Sequence, residues 1–359
     1  MKIQSTEAKK GEIEFRRKLV QQEVGGTALI ADEPDKAPQN KILTDRMSKI
    51  LTERMTKTYK QISVLRSKGI PISPYAEIGA ERGQRSLVLE NDLDAAGAAV
   101  DISFDMLKSC EYFAKIYNRK KLPLRICADA NNLPFLSNTV PFFYCYQTLH
   151  HFPTPVPIVE EIHRVLTPGG SMFFDEEPFR KVLHLNLYVK EKSYSTKALN
   201  RSGFKKALDY LFAAPSCDEV EYGIIENDKI SLKEWKNAFK PFSERNVSLT
   251  SARYITTPMY PRKNPLLFPI AYLLGGSISA LCRKAGQIPT DFRPITETLM
   301  CPACREIGSE SGVYLEGEAY KCRRCGISYP IHEGILFLFT PEKLRELYPE
   351  RSIAGGKIE

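Results

Sequence analysis

Apolar and polar positions change period several times along the chain, and each change marks an element. Leu43, Met47, Ile50, Leu51, Met55, Tyr59, Ile62 and Leu65 recur at helical spacing until Gly69-Ile70-Pro71 stops the pattern, which predicts one or two amphipathic helices over residues 41–68. Short apolar runs then alternate with helical stretches. A strand over Tyr75, Ala76 and Ile78 precedes a helix at 85–90, a strand at 98–102 and a helix at 104–117. Further strands at 124–128 and 140–147, a helix at 157–166 and a strand at 171–174 follow. This alternation predicts an α/β fold of Rossmann-like type: an open, mostly parallel sheet with helices on both faces. Beyond Phe179 the alternation weakens. Residues 179–212 look helical, 232–239 read as a helix and 246–256 as a late strand at the sheet's far edge. Residues 285–300, with Pro289 and Pro294, read as a linker.

Residues 265–282 (PLLFPIAYLLGGSISALC) carry no charge and are flanked by Arg262-Lys263 and Arg283-Lys284. Two prolines, two adjacent glycines and two serines dilute their hydrophobicity. A buried helix or substrate lid is therefore favoured over a helix lying on a membrane surface, and both over a membrane span. Residues 1–40 mix charge with Gly, Pro and Asn without sustained periodicity. They read as a mobile arm with a short helix around residues 12–23 and no chemistry.

Composition narrows the class. The 359 residues suffice for about two domains, and 51 Lys and Arg against 43 Asp and Glu leave a net charge of +8, which permits an anionic partner without requiring one. The start lacks a signal-peptide core and the nine cysteines include two CxxC pairs, which points to a cytoplasmic metalloprotein rather than a secreted disulfide framework.

Three strands end where a ligand-binding sheet would place its chemistry. Gly79 and Gly83 let the backbone approach a ligand and close the turn into the next helix. Asp101 lies 18 positions beyond Gly83, the distance at which an acidic side chain of a βαβ unit reaches ribose hydroxyls. The strand at 124–128 likewise ends on Asp129. A dinucleotide-binding dehydrogenase would need G-x-G-x-x-G, which Glu81 and Gln84 break.

Near the C-terminus, Cys301-Pro302-Ala303-Cys304 and Cys322-Arg323-Arg324-Cys325 stand 17 residues apart, the spacing of a structural four-thiolate Zn²⁺ ribbon. Four thiolates leave no open position for a substrate water, and a module of about 45 residues needs such a staple to fold. The run SYPIHEGILFLFTPEKL after the second knuckle resembles the zinc-ribbon family of tRNA-methyltransferase activator proteins.

Four blocks, EIGAERG, VDISFDML, ADANNLPF and LHHFP with EIHRVLTPGG, resemble in order the class I S-adenosylmethionine (SAM)-dependent methyltransferases. The resemblance is in particular to the branch of quinone and small-molecule enzymes, over residues 60–178. The resemblance implies that Glu77, Gly79, Ala80 and Gly83 face the amino-acid end of SAM and that Asp101, with Ile102, takes the ribose. It further implies Asp129 at the adenine amino group with Ala130 beside the ring, and Gln147 near the cofactor. Each carboxylate alone would read as a solvated or capping residue. Glu81 stands where the family usually has its second glycine, and Pro141 where an aspartate often precedes the fourth strand.

SAM brings its own reactivity, so a base is optional. His150, His151 or Glu176 could take a proton from the acceptor, although each also reads as a loop-ordering or surface residue. The resulting layout is an arm at 1–40 and a methyltransferase domain at 41–260 with N-terminal helices and a substrate-covering insertion. An apolar helical segment at 261–288, a linker at 289–300, a zinc ribbon at 301–345 and a tail at 346–359 complete it. The expected activity is methyl transfer to an apolar small molecule, lipid-linked intermediate or natural product, with possible membrane-surface contact through 265–282. A tRNA or rRNA methyltransferase and a non-catalytic methyltransferase-like binding protein are the alternatives.

Overall fold

The computed structural model describes residues 4–25, 40–183, 188–189, 213–214, 224–225, 227, 229–251, 255–259 and 267–352. Five strands form the parallel centre: β1 (Tyr75–Ile78), β2 (Gly97–Asp101), β3 (Leu124–Ala128), β4 (Val140–Tyr146) and β5 (Leu166–Phe179). Two-residue strands β6 (Tyr188–Val189) and β7 (Ala213–Ala214) pair with each other apart from this sheet. On the far side follow β8 (Glu244–Ser251), β9 (Ile255–Pro258) and β10 (Gly276–Arg283). The C-terminal part adds β11 (Val313–Glu316), β12 (Ala319–Cys322), β13 (Ser328–His332) and β14 (Ile335–Leu338). The main sheet has 12 strands in the order β11-β12-β13-β14-β3-β2-β1-β4-β5-β10-β8-β9. It is the Rossmann-like α/β sheet expected from the alternation, parallel from β14 to β5 and antiparallel at both flanks.

Alternation along the strands sends side chains to two covered faces. Ala76, Ile78, Ala98, Val100, Ile126, Phe143 and Cys145 share one core with helix α5 (Val156–Val165). Tyr75, Phe142 and Tyr144 face the other way, against α2 (Asn40–Ser67) and α3 (Gln84–Asp92). Helix α4 (Phe104–Ile116), capped by the Ser103 hydroxyl, which accepts from Met106 N–H, covers β2, β3 and β14 on that second side.

Four expectations change. Helix α1 (Thr6–Gly25) contains the short helix expected around residues 12–23, but it begins earlier and packs against α4 where a mobile arm is expected. The 261–288 segment is not one apolar helix: among its described residues Leu267–Leu274 is helical (α7), and the chain then turns at Gly275 and Gly276, both at positive φ, into β10. Ile278, Ala280 and Cys282 of β10 are buried between β5 and β8, a period-two pattern that the apolar run concealed. The strand expected at 171–174 begins already at Leu166, so the TPGG stretch belongs to β5, which is bulged opposite Pro141. Finally, the 285–300 linker is tied to the core through Leu299, which bridges to Phe135 and is fully buried.

The expected helix at 179–212 falls mostly outside the described residues, and the expected strand at 246–256 is a hairpin of β8 and β9. Helix α6 (Leu232–Ala238) lies between α7 and β7 in sequence and is closed at its N-terminus by a capping box of Ser231 and Glu234. No described helix is long and apolar enough to cross a membrane.

The C-terminal part is continuous with the sheet. Strand β14 pairs in parallel with β3, Leu336 opposite Ile126 and Leu338 opposite Ala128, and is buried on both faces. Its ILFL run is what a parallel strand covered on two sides requires. Phe337 stacks on Phe104 of α4 at 5.4 Å, and Tyr348 seals the end by donating its hydroxyl to Ile102 O at 2.5 Å.

Candidate functional site

One pocket opens at the carboxyl ends of β1 to β4, where an open α/β sheet binds its ligands. Its walls include Ile78, Gly79, Glu81, Val100, Asp101, Ile102, Asp129, Ala130, Gln147, Thr148 and His151. Seven residues singled out in the sequence thus meet: Gly79, Asp101, Ile102, Asp129, Ala130, Gln147 and His151. Gly79 holds φ at 65°, and a Cβ there would come within 2.4 Å of the Thr148 side chain, so only glycine leaves this wall open. Asp101 accepts from Glu81 N–H and Ser103 N–H, each at 2.8 Å. Burial pushes its carboxyl up to about 6.

The other sequence candidates sit off this pocket. Glu77 is buried beneath α3, where it accepts from Ser86 Oγ at 2.5 Å and lies 3.9 Å from Arg85; burial pushes it up to about 7. Ala80 is core, and Gly83 packs against Cys110 in the turn before α3. Glu176, at positive φ, contacts Tyr146 and Lys57 near the ends of β4 and β5. His150 is held by Glu177 rather than turned to the pocket wall.

Glu81 resolves one departure from the resembled pattern. It keeps the left-handed conformation, φ 48°, that a glycine would adopt at no cost, and it lines the pocket with its carboxylate on Arg16 and Arg54. Burial favours its neutral form, but Arg16, Arg85, Arg54 and Arg82 hold the carboxyl down at about 2. The strained anion is thus stabilised by four surrounding guanidinium groups.

Two features were invisible to motif reading. The first is α1, which places Glu12 and Arg16 on the pocket wall, with Gln4 just ahead of it. Lys9 reaches Asp129 at 2.7 Å, and Lys343 of α9 (Pro341–Leu347) reaches the same oxygen at 2.9 Å. Helix α8 (Pro302–Glu306) intervenes in sequence and carries Cys304. The second is Glu177, fully buried, which accepts from the N–H groups of Thr148, Leu149 and His150 at 2.6, 2.9 and 3.1 Å and bonds His150 Nδ1 at 2.9 Å. It folds the LHH loop around one carboxylate. An acidic run at a strand end was its only sequence signal.

Away from the pocket, the sulfurs of Cys301, Cys304, Cys322 and Cys325 all lie within 4.8 Å of one another, with closest pairs at 3.6 Å. A tetrahedral ion with metal–sulfur bonds of about 2.3 Å would set its sulfurs about 3.8 Å apart. Backbone N–H groups of Cys304, Arg324 and Cys325 point at Cys301 and Cys322 sulfurs at 3.3 to 3.4 Å, an arrangement that favours thiolates.

Residues 76–174 match the methyltransferase-domain family. An uncharacterized chloroplastic methyltransferase of Arabidopsis thaliana is 39% identical over 101 residues, 26% of this chain and 28% of the relative. A second one from the same plant is 37% identical over 75 residues, 20% of this chain and 21% of that protein. The matched stretch thus spans less than a third of either relative.

Among solved structures, a chain of the Haloferax volcanii complex between the Trm112 methyltransferase activator and a methyltransferase is 17% identical. It covers 67% of this chain and 95% of its own, with a TM-score of 0.37. Haemonchus contortus phosphoethanolamine N-methyltransferase 2 with S-adenosyl-L-methionine is 14% identical, covering 64% of this chain and 52% of its own with a TM-score of 0.39. Sheet and family match define a class for residues 76–174: a methyltransferase domain on a Rossmann-like sheet. Outside that stretch the chain also carries the four-cysteine cluster, followed by β14, which extends the same sheet.

Proposed function

We propose that the protein is a SAM-dependent methyltransferase acting on an apolar small molecule or lipid-linked intermediate, with a structural Zn²⁺ ribbon of activator type joined to the catalytic sheet. The convergence of Gly79, Asp101, Asp129 and Gln147 at one set of strand ends carries the cofactor reading. Asp101 keeps acceptor capacity for ribose hydroxyls beyond its two backbone N–H bonds, Asp129 lines the pocket with its oxygens held by Lys9, Lys343 and Asn131, and Gly79 leaves space beside Thr148. When bound, SAM supplies an electrophilic methyl group and needs little covalent help from the protein. The chain's part is to align the acceptor and exclude water. His151, on the pocket wall, is the base candidate nearest to that work, and His150 orders its loop through Glu177.

The acceptor class rests on the rim beyond β5. Helix α7 exposes Ile270, Tyr272 and Leu273, while Val182 and Leu183, also exposed, donate their backbone N–H groups to Leu273 O. These apolar groups adjoin Phe179 and Gly276, at the same carboxyl edge of the sheet as the pocket. An RNA acceptor is the second reading, favoured by exposed Arg323 and Arg324 between two cysteines, Arg323 lying over the Tyr314 ring at 5.0 Å.

The test uses full-length protein, titrated calorimetrically with SAM and then incubated with radiolabelled SAM and separated lipid-extract and total-RNA pools. Label in the lipid pool supports the proposal. Label confined to RNA transfers the assignment to the second reading. Absence of SAM binding with zinc present leaves a non-catalytic binding protein.

A further inference from the structure

Helix α1 runs across the strand ends with about one helical turn per strand. Lys9 meets Asp129 after β3, Glu12 faces the pocket beside Asp101 at the end of β2, and Arg16 meets Glu81 after β1 at 3.3 Å. The helical pitch of about 5.4 Å is close to the strand spacing of about 4.8 Å, so positions i, i+3 and i+7 of one helix face can each address a different strand. Lys9, Glu12 and Arg16 have that spacing.

Glu12 is only 8% exposed. Its Oε1 accepts from Arg16 Nε at 2.9 Å, while its Oε2 is buried without a hydrogen-bond partner among the described residues. A buried carboxylate oxygen without a donor is costly. Across the same slot stands Asp101, whose ionisation Glu12 disfavours by like charge. Two carboxylates facing one slot call for donors between them. A cation there would meet Arg16 on the same wall, whereas two neutral hydroxyls on adjacent carbons would satisfy both acids without adding charge.

We propose that Glu12 is a cofactor-binding residue: its Oε2 accepts one hydroxyl of the ribose whose other hydroxyl Asp101 accepts, and α1 is the lid that closes over that ribose. This rests on the SAM reading and adds a ligand from outside residues 76–174, the stretch that matches the family.

The experiment is calorimetric titration of the full-length protein with S-adenosylhomocysteine and its 2′-deoxy and 3′-deoxy analogues, on native protein, Glu12→Gln and Glu12→Ala. Thermal midpoints without ligand serve as the folding control. Native protein should bind the parent compound at least about tenfold more tightly than one of the deoxy analogues. Both variants should bind the parent about tenfold more weakly and lose that discrimination, with Glu12→Ala carrying the test if Glu12→Gln misfolds. Unchanged affinity in the variants overturns the proposal. So does an equal loss for all three ligands, which is what a merely structural role gives. If native protein binds none of the three, the SAM reading itself fails, an outcome distinct from either.

Discussion

The buried contact between Lys9 and Asp129 anchors α1, and its two partners should respond unequally to mutation. Their side chains keep 3% and 4% exposure. Asp129 has a second cation, Lys343 at 2.9 Å, and Asn131 serves its other oxygen through N–H and Nδ2 at 2.9 and 2.8 Å. Asp129→Asn therefore strands a fully buried ammonium group, a loss of about 3–5 kcal/mol. Lys9→Met removes that ammonium and leaves Asp129 paired with Lys343, so it should cost about 1 kcal/mol or less.

The same contacts set how stability should depend on pH. Burial would raise the Asp129 carboxyl, but Lys9 and Lys343 hold it at about 2 against an ordinary 3.8. At about 1.4 kcal/mol per pH unit the difference contributes about 2.5 kcal/mol of stability, present above roughly pH 4 and lost as the pH falls towards about 2. Urea unfolding of the full-length protein at neutral pH, with hydrogen exchange read over residues 6–25, measures both variants. Asp129→Asn should lose about 3 kcal/mol and deprotect α1, while Lys9→Met should stay within about 1 kcal/mol of native. Equal losses, or an Asp129→Asn variant as stable as native, refute the reasoning.

Two further outcomes follow from the same contacts. Cys304→Ser, or removal of metal by a chelator, should unfold the four-cysteine region and strip β14 from β3, because structural Zn²⁺ supplies about 10–16 kcal/mol of folding free energy in small modules. Metal analysis should give one zinc per native chain, and SAM affinity should fall with its loss because β3 delivers Asp129; metal-free protein with native exchange protection at residues 335–338 would contradict this. Glu177→Gln leaves one acceptor oxygen where a carboxylate serves three backbone N–H groups and His150, a loss of roughly 2–3 kcal/mol measurable by urea unfolding, accompanied by weaker SAM binding. A variant with native stability and affinity would show that the loop holds its shape without that carboxylate.

Local pattern was enough to define the parallel sheet, the strand-end positions of Asp101 and Asp129, and the four cysteines. Strand–helix alternation and CxxC spacing are properties of neighbouring residues, and each has few physical solutions. It was not enough for α1, because Lys9, Glu12 and Arg16 look like an ordinary solvated helix face until Asp129 and Glu81 are brought to them from 120 and 65 residues away. The two halves of residues 265–282 were equally ambiguous, since a short apolar run fits a helix or a buried strand, and only the vacant place between β5 and β8 made the second half β10. The ILFL run likewise reads as the core of a small module, but packing against α4 and the open edge of β3 made it the next strand of the large sheet. Sequence thus determined which strand ends could line a pocket. Tertiary structure decided what closes over it, because burial of charge and completion of sheet edges depend on partners that no local period reveals.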